Sequence, residues 1–280
     1  MTDSLGRQQS PEEREYAKYL FEVENRKQRA STLQDELTSL RLALGRFEAE
    51  YHAVVGTLFL ELDRIRLSIR GYEEKIARLR NDPLADPATV DREVEGKFRA
   101  EQEDLHEQER ENRRYEEAFQ RESERPQLPV DDETELHRLY RDLAKRYHPD
   151  LARTEAERLQ RQPLMQRVNA AMQERDLARL QALLSESEIT DVAFEMKSVG
   201  EKLVWAIREI ARLDAVIAKL ETDLTALRVS ATHDLWQREA SGEQVIERLA
   251  EDLRSELGTA QEALAAIIGA YQNLVETQVR

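Results

Sequence analysis

The chain has 280 residues and a formal net charge of −15, and 35 % of its residues are charged whereas only 6 % are aromatic. This composition offers little apolar surface for one compact core and favours elongated helices that bury a narrow seam. The acidic balance argues against a general binder of nucleic acids or anionic membranes, and the absence of cysteine excludes disulfides, thiol chemistry and cysteine-bound zinc.

The N-terminal residues predict no signal peptide, because MTDSLGRQQSPEERE lacks a basic start followed by an apolar core. The most apolar later stretch, ALAAIIGA, is too short to span a bilayer. We therefore expect a cytoplasmic protein whose residues 1–10 are disordered. Ser10 and Pro11 are typical of a helix start, as the N-cap and the first helical residue.

A first long helix is predicted by apolar residues that recur three and four positions apart between Leu33 and Leu79. Two successive steps of four, the second from Leu58 to Leu62, indicate a stutter that locally unwinds a supercoil.

Two prolines, Pro83 and Pro87, end this first helix, because neither residue can continue a helix interior. Residues 88–124 are highly charged and carry a weaker apolar seam, so the preceding helix is the obvious partner. The sequence predicts a coiled-coil helical hairpin over residues 11–125.

A second helical hairpin, or a helix that awaits a partner chain, is predicted over residues 187–280. Apolar residues alternate in steps of three and four from Ile189 to Leu227 and resume at Ile246. The chain reverses either at residues 230–233, which we favour slightly, or at residues 241–242. The unbroken seam also predicts an extended rod or self-association, so a homo-oligomer is among the expected assemblies.

The only cluster of chemistry-bearing residues lies between these hairpins, in residues 126–186. One amphipathic helix ends at His148, because Pro149 disfavours the helical conformation of the residue before it. A second helix restarts after Thr154, which has capping-box spacing with Glu157. Two antiparallel helices are thus expected to hold His148, Pro149 and Asp150 on an exposed bend. The first helix carries an apolar face of Leu136, Leu139, Tyr140, Leu143 and Tyr147, and the cations Arg138, Arg141, Lys145 and Arg146.

This stretch resembles helices two and three of the J-domain, the module of DnaJ-type co-chaperones. The resemblance lies in Tyr140-x-x-Leu143-Ala144-x-x-Tyr147, then the tripeptide His-Pro-Asp at 148–150, then an Asn-x-Ala core helix at Asn169. It covers about 50 residues, and the placement of the tripeptide between two amphipathic helices is more specific than the tripeptide alone. An atypical J-domain protein with flanking coiled coils is the identification that it favours.

The resemblance implies docking on a DnaK-type ATPase chaperone and stimulation of its ATP hydrolysis, with no active site in the module itself. His148, Pro149 and Asp150 would then be the signalling tripeptide, and the cations of the preceding helix would form the basic docking surface. We call these seven residues the predicted docking residues: His148, Pro149, Asp150, Arg138, Arg141, Lys145 and Arg146. The coiled coils would direct the chaperone to a client protein that remains unidentified.

The sequence also departs from the family pattern. The family's first helix has no counterpart upstream, where the chain has RPQLPVDDET. The apolar face of the second amphipathic helix extends through Leu177 and Leu180, and no obvious fourth helix follows. We expect the flanking coiled coils to brace the module in place of the missing helices.

An alternative function is a structural coiled-coil scaffold or adaptor, in which the central hairpin stimulates no chaperone. An enzyme is not expected, because the chain contains no Gly-rich phosphate loop and no Gly-x-Ser-x-Gly elbow. Neither a cofactor nor a metal is expected, since the five histidines are scattered and form no i, i+4 pair.

Overall fold

The computed structural model describes residues 10–125, 128–152, 154–185 and 198–279, in which helices are joined by short turns and no strand occurs. The all-α class predicted from the sequence is confirmed. No helix in these ranges combines the length and hydropathy needed to cross a membrane. The helices are α1 (Pro11–Tyr51), α2 (Thr57–Asn81), α3 (Pro87–Ser123), α4 (Val130–Tyr147), α5 (Glu155–Gln173), α6 (Leu177–Ser185), α7 (Val199–Arg228), α8 (Ala231–Ala240) and α9 (Val245–Val279).

The chain divides into two compact units, each assembled from segments that are distant in sequence. The first unit comprises Met1–Ala43 and Pro126–Ser230, and the second comprises Leu44–Arg125 and Ala231–Arg280. The domains expected from the sequence instead followed chain order, as 11–125, 126–186 and 187–280. Residues 1–9 and 186–197 lie outside the described ranges, and with them the expected N-terminal disorder and the first seam residues, Ile189, Val192 and Met196.

In the first unit, α7 packs on the first part of α1. Ion pairs join Arg26 to Asp214 at 2.7 Å and Arg29 to Glu221 at 3.2 Å. The residue numbers of the partners rise together, so these two segments run parallel. Their shared core is formed by Val23, Ala30, Leu33 and Leu37 of α1 with Ala206, Leu213, Leu220 and Leu224 of α7.

The expected C-terminal hairpin, with residues 187–227 packed on 246–274, is therefore wrong. Helix α9 buries its seam in the second unit, where Ile246, Leu253 and Leu257 pack with Phe47, Val55 and Leu62. The chain breaks at both positions considered for the reversal, because α7 ends at Arg228 and a turn follows α8. Gly242 in that turn has φ of 90°, a conformation that glycine adopts without steric cost.

Helices α2 and α3 form an antiparallel hairpin in the second unit. Arg78 pairs with Glu93 at 2.7 Å and Arg70 with Glu101 at 2.5 Å, so partner numbers rise on one helix as they fall on the other. Asp86 caps α3, because its carboxylate accepts a hydrogen bond from the Thr89 N–H at 3.0 Å. The prolines thus end one helix and start the next, as the sequence predicted.

The irregularity expected near Leu58 is present as a π-helical turn, His52–Gly56, between α1 and α2. Such a turn inserts one residue into a continuing helix. Asn112 of α3 is buried beside it and donates hydrogen bonds to Thr57 Oγ1 at 3.0 Å and Glu116 Oε1 at 3.2 Å. A Cβ atom on Gly56 would lie 2.7 Å from Asn112 Oδ1, so the buried amide requires glycine there.

Helices α4, α5 and α6, which we call the central module, share one apolar core. The Tyr140 hydroxyl is fully buried in it and donates to Asn169 Oδ1 at 2.9 Å, while Thr38 of α1 lies 2.9 Å away on the other side. Leu42 of α1 also packs on this core. The core comprises Leu136, Leu139, Tyr140, Leu143, Ala144, Tyr147, Met165, Val168, Ala171, Met172, Leu180 and Leu183.

The break between α5 and α6 is a correction to the sequence interpretation, which extended the second amphipathic helix without interruption through Leu177 and Leu180. Helix α5 ends because Arg175 adopts φ of 54°, and Asp176 N–H then donates to the Ala171 carbonyl at 2.9 Å. This is the left-handed helix end that glycine usually provides. Asp176 caps α6 by accepting from the Arg179 N–H at 2.9 Å.

Candidate functional site

The bend between α4 and α5 is fixed by short-range hydrogen bonds. His148 ends α4 in an extended conformation, and Pro149 opens a single 3₁₀ turn, Pro149–Leu151. The Asp150 N–H donates to His148 Nδ1 at 3.1 Å. Thr154 then caps α5 by accepting from the Glu157 N–H at 3.2 Å. Hydrogen bonds between residues close in sequence therefore set the backbone shape of the tripeptide.

The imidazole of His148 is oriented by two partners. Since Nδ1 accepts from the main chain, the ring proton is on Nε2, which lies 3.0 Å from Gln34 Oε1 on α1 and donates to it. Burial lowers the pKa of His148, and the nearby cations Lys219 and Arg161 act in the same direction, whereas the Asp150 carboxylate opposes them. The side chain is therefore neutral near pH 7.

Asp150 is held by α7. Its carboxylate lies 3.3 Å from Lys219 Nζ, and its main-chain carbonyl accepts a hydrogen bond from Arg212. Arg212 is anchored by Glu209 through two hydrogen bonds of 2.9 and 2.7 Å, and Glu209 is 5 % exposed. The pairing with Glu209 raises the pKa of Arg212, so this guanidinium is a permanent charge beside the bend.

The bend is not the exposed tip that the sequence predicted. His148, Pro149 and Asp150 are all half-buried, and the next residue, Leu151, is 4 % exposed within the core shared by α1 and α7. The seam around His148 leaves no volume that a water molecule could occupy. An open groove of about 510 Å³, between the bend and α7, reaches Pro149 and Asp150.

Two of the predicted docking cations differ in how they are paired. Arg138 bonds to Glu135 and Asp142 of its own helix and is 51 % exposed. Arg141 instead donates to the carboxylate of Asp35 on α1 at 2.9 Å. The same carboxylate, which is 10 % exposed, accepts from His137 Nδ1 at 2.8 Å, and this hydrogen bond raises the pKa of His137.

The other two predicted docking cations are also engaged. Lys145 forms an ion pair with Glu24 of α1. Arg146 donates to the main-chain carbonyl of Leu184 on α6 at 3.0 Å and lies 5.9 Å from the ring centre of Tyr147. Five of the seven predicted docking residues, all except Arg138 and Pro149, thus have hydrogen-bond or ion-pair partners on α1, α6 or α7.

The sequence interpretation missed these partners, which are Glu24, Gln34, Asp35, Arg212 and Lys219. One signal was present on α1, since Glu24 and Asp35 are eleven residues apart and so lie on one face after about three turns. That signal is not specific, because acidic residues occur on every side of α1.

Comparison of the chain with models of protein families, with curated proteins and with solved structures found no match. In the described part of the chain, no three His, Asp or Glu side chains are grouped so that they could hold a metal ion. The bend and the cations of α4 interact with α1, α6 and α7 through hydrogen bonds and ion pairs.

Proposed function

We propose that the protein is a cytoplasmic J-domain co-chaperone. Its central module docks on a DnaK-type ATPase chaperone through the bend and the cations of α4, and this contact stimulates ATP hydrolysis by the chaperone. The remaining helices select the client protein or the place where the chaperone acts, with self-association through apolar seams as one route. The module provides no catalytic group or cofactor of its own.

One observation carries the proposal. The His148-Pro149-Asp150 tripeptide lies at the bend between two helices, and the other residues that resemble the J-domain pattern form the contacts between those helices. Tyr140, Leu143, Ala144 and Tyr147 all point into the core of the central module, and Asn169 accepts the Tyr140 hydroxyl proton. A chance tripeptide in a loop would not be expected to have such matching core positions on both flanking helices.

The role of the missing first helix can be assigned to α1. Thr38 lies within hydrogen-bonding distance of Tyr140, and Leu42 packs on the core of the module. Together with α6, this contact closes apolar surface that a two-helix hairpin alone would leave open to solvent, a costly arrangement for a small module. The bracing expected from the sequence is consistent with these contacts.

The chemistry of docking follows from charge. Asp150 can form a charge-assisted hydrogen bond with an arginine of the chaperone. The cations of α4 can meet an acidic patch, which speeds the encounter and fixes its orientation. Pro149 restricts the backbone of the tripeptide, so less conformational entropy is lost on binding.

One specific observation favours the second candidate, a structural scaffold. Arg141, Lys145 and Asp150 already have partners within the chain, as they would in a module that has only a structural role. We prefer the co-chaperone because the tripeptide would serve no evident purpose in a scaffold, where any helix-ending loop would suffice.

The test is single-turnover ATP hydrolysis by a DnaK-type chaperone, titrated to saturation with the full chain. We expect stimulation by the wild-type chain and its loss in His148→Gln, because the tripeptide contact is removed. The control is Arg66→Gln, on α2 of the second unit, where an exposed pair with Glu256 is lost and stimulation should persist. Stimulation that is absent at saturation, or that survives His148→Gln, would favour the scaffold.

A further inference from the structure

Within the first unit, α1 contacts the predicted docking residues with complementary chemistry. Glu24 and Asp35 place carboxylates on Lys145 and Arg141, and Gln34 accepts the ring proton of His148. Lys145, Arg141 and His148 are also the side chains that bind the chaperone in the proposed function. A chaperone surface and α1 therefore compete for the same hydrogen bonds and charges.

Helix α7 covers the rest of the tripeptide. Lys219 neutralises the Asp150 carboxylate, and Arg212 engages the Asp150 main-chain carbonyl. Leu151 is inserted among the apolar residues of α1 and α7, so the bend contacts both helices. A partner that needs the Asp150 carboxylate must displace Lys219, and one that needs the His148 ring must displace Gln34.

Two of the contacts on the docking residues are ion pairs at the protein surface. Glu24 is 54 % exposed and Lys219 is 66 % exposed, and such pairs contribute little to the stability of the fold. The contacts of Asp35 with Arg141, and of Ala30 and Leu33 with the core around Leu151, are buried. Separation of residues 24–35 from the bend therefore breaks buried contacts as well, so the separated state is a minor one.

We infer that α1 and α7 form an autoinhibitory clamp, in which Glu24, Gln34 and Asp35 on α1 and Lys219 on α7 occupy the surface that the chaperone must reach. This inference rests on the proposed function. The clamped chain docks only from a minor open state, so its apparent affinity for the chaperone is reduced by the fraction that is open. Opening of the clamp, by a client or by the chaperone itself, switches the co-chaperone on.

The test uses a released variant of the full chain, Glu24→Lys with Lys219→Glu. The two changes reverse one contact on each side of the bend and leave the net charge unchanged, and neither alters a docking residue. The matched control is Glu36→Lys with Arg41→Glu, which also keeps the net charge and makes two α1–α7 ion pairs repulsive, those with Arg228 at 3.4 Å and with Asp223 at 4.0 Å, neither of which involves the bend. Circular dichroism and thermal unfolding of each variant verify that the fold is retained.

Single-turnover ATP hydrolysis by a DnaK-type chaperone is then titrated with each chain. We expect the concentration for half-maximal stimulation to fall about tenfold or more in the released variant, to stay within about twofold of wild type in the control, and stimulation to vanish when His148→Gln is added to the released variant. Equal half-maximal concentrations for wild type and the released variant would overturn the clamp and leave the proposed function standing. No stimulation by either chain at saturation would overturn both.

Discussion

At the scale of single residues, two histidines of the first unit have pKa values shifted in opposite directions. His148 accepts a main-chain N–H at Nδ1, and burial lowers its pKa below the usual value near 6.5. His137 donates from Nδ1 to the Asp35 carboxylate, which raises its pKa above that value. Folding therefore opposes protonation of His148 and favours protonation of His137.

The pH dependence of stability follows from these directions. For His148, the unfolded chain takes up a proton at a higher pH than the folded chain, so this residue lowers the free energy of unfolding as pH falls below about 6.5. The substitution His148→Gln removes this contribution of His148 to the decrease in the free energy of unfolding. We expect the decrease in the free energy of unfolding between about pH 7 and pH 5 to be smaller in His148→Gln than in wild type, measured by urea denaturation at each pH.

His137→Gln is the matched control with the opposite sign. Protonated His137 stabilises the folded chain, and this contribution is present below about pH 6.5 and is lost as pH rises through the raised folded-state pKa. Removing it should make the chain lose more stability on acidification than wild type does. Parallel pH profiles for the two variants would contradict the assignment of the two ring environments.

The residues of the bend were predictable from the sequence, whereas their partners were not. Pro149 and the capping spacing of Thr154 fix the local chain path, so the tripeptide and the two flanking helices follow from neighbours in sequence. The contacts of Gln34 with His148 and of Lys219 with Asp150 join positions 114 and 69 residues apart. No local pattern distinguishes these two side chains from the many other polar residues of α1 and α7.

At the scale of helices, the π-helical turn between α1 and α2 depends on one glycine. Gly56→Ala would place a Cβ atom 2.7 Å from the buried Asn112 amide and 3.3 Å from His52 Nδ1. The amide cannot move freely, because it bonds to Thr57 and Glu116. We expect a loss of about 1–3 kcal/mol in the free energy of unfolding, as for other overpacked sites, measured by chemical denaturation.

Gly45→Ala is the control for helix propensity, because no atom lies within 4 Å of a Cβ at Gly45 in α1. Alanine there should raise the free energy of unfolding by about 0.5–1 kcal/mol. If Gly56→Ala were also stabilising, the π-helical turn would not need glycine to seat Asn112, and the sequence stutter would have another cause.

The pairing of α7 shows that an apolar seam predicts the presence of a helix better than it predicts which other helix packs on that seam. The spacing from Val199 to Leu227 indicated the long helix α7, but any apolar stripe of matching length can cover such a seam. Proximity in sequence favoured α9, whereas ion pairs such as Arg26–Asp214 and Arg29–Glu221 join α7 to α1. The break between α5 and α6 was missed for a different reason, since Arg175 stands where glycine usually signals a helix end.

At the scale of the whole molecule, two helices that are distant in sequence, α1 and α7, pack on the central module in the first unit. Residues of α1, far upstream, and of α7, downstream, both contact the bend. The proposed clamp needs no added domain, because α1 and α7, which complete the fold of the unit, are also the helices that contact the bend. We therefore propose jointly that the bend docks on a chaperone and that α1 leaves the bend when docking occurs.

Hydrogen–deuterium exchange of the full chain, alone and with saturating ATP-bound DnaK-type chaperone, tests that claim most directly. We predict that main-chain amides of residues 138–151 exchange more slowly with the chaperone present, and that those of residues 24–35 in α1 exchange faster, with neither change in His148→Gln. Unchanged exchange at residues 138–151 would contradict docking through the bend. Slower exchange there, with protection of residues 24–35 retained, would contradict the release of α1.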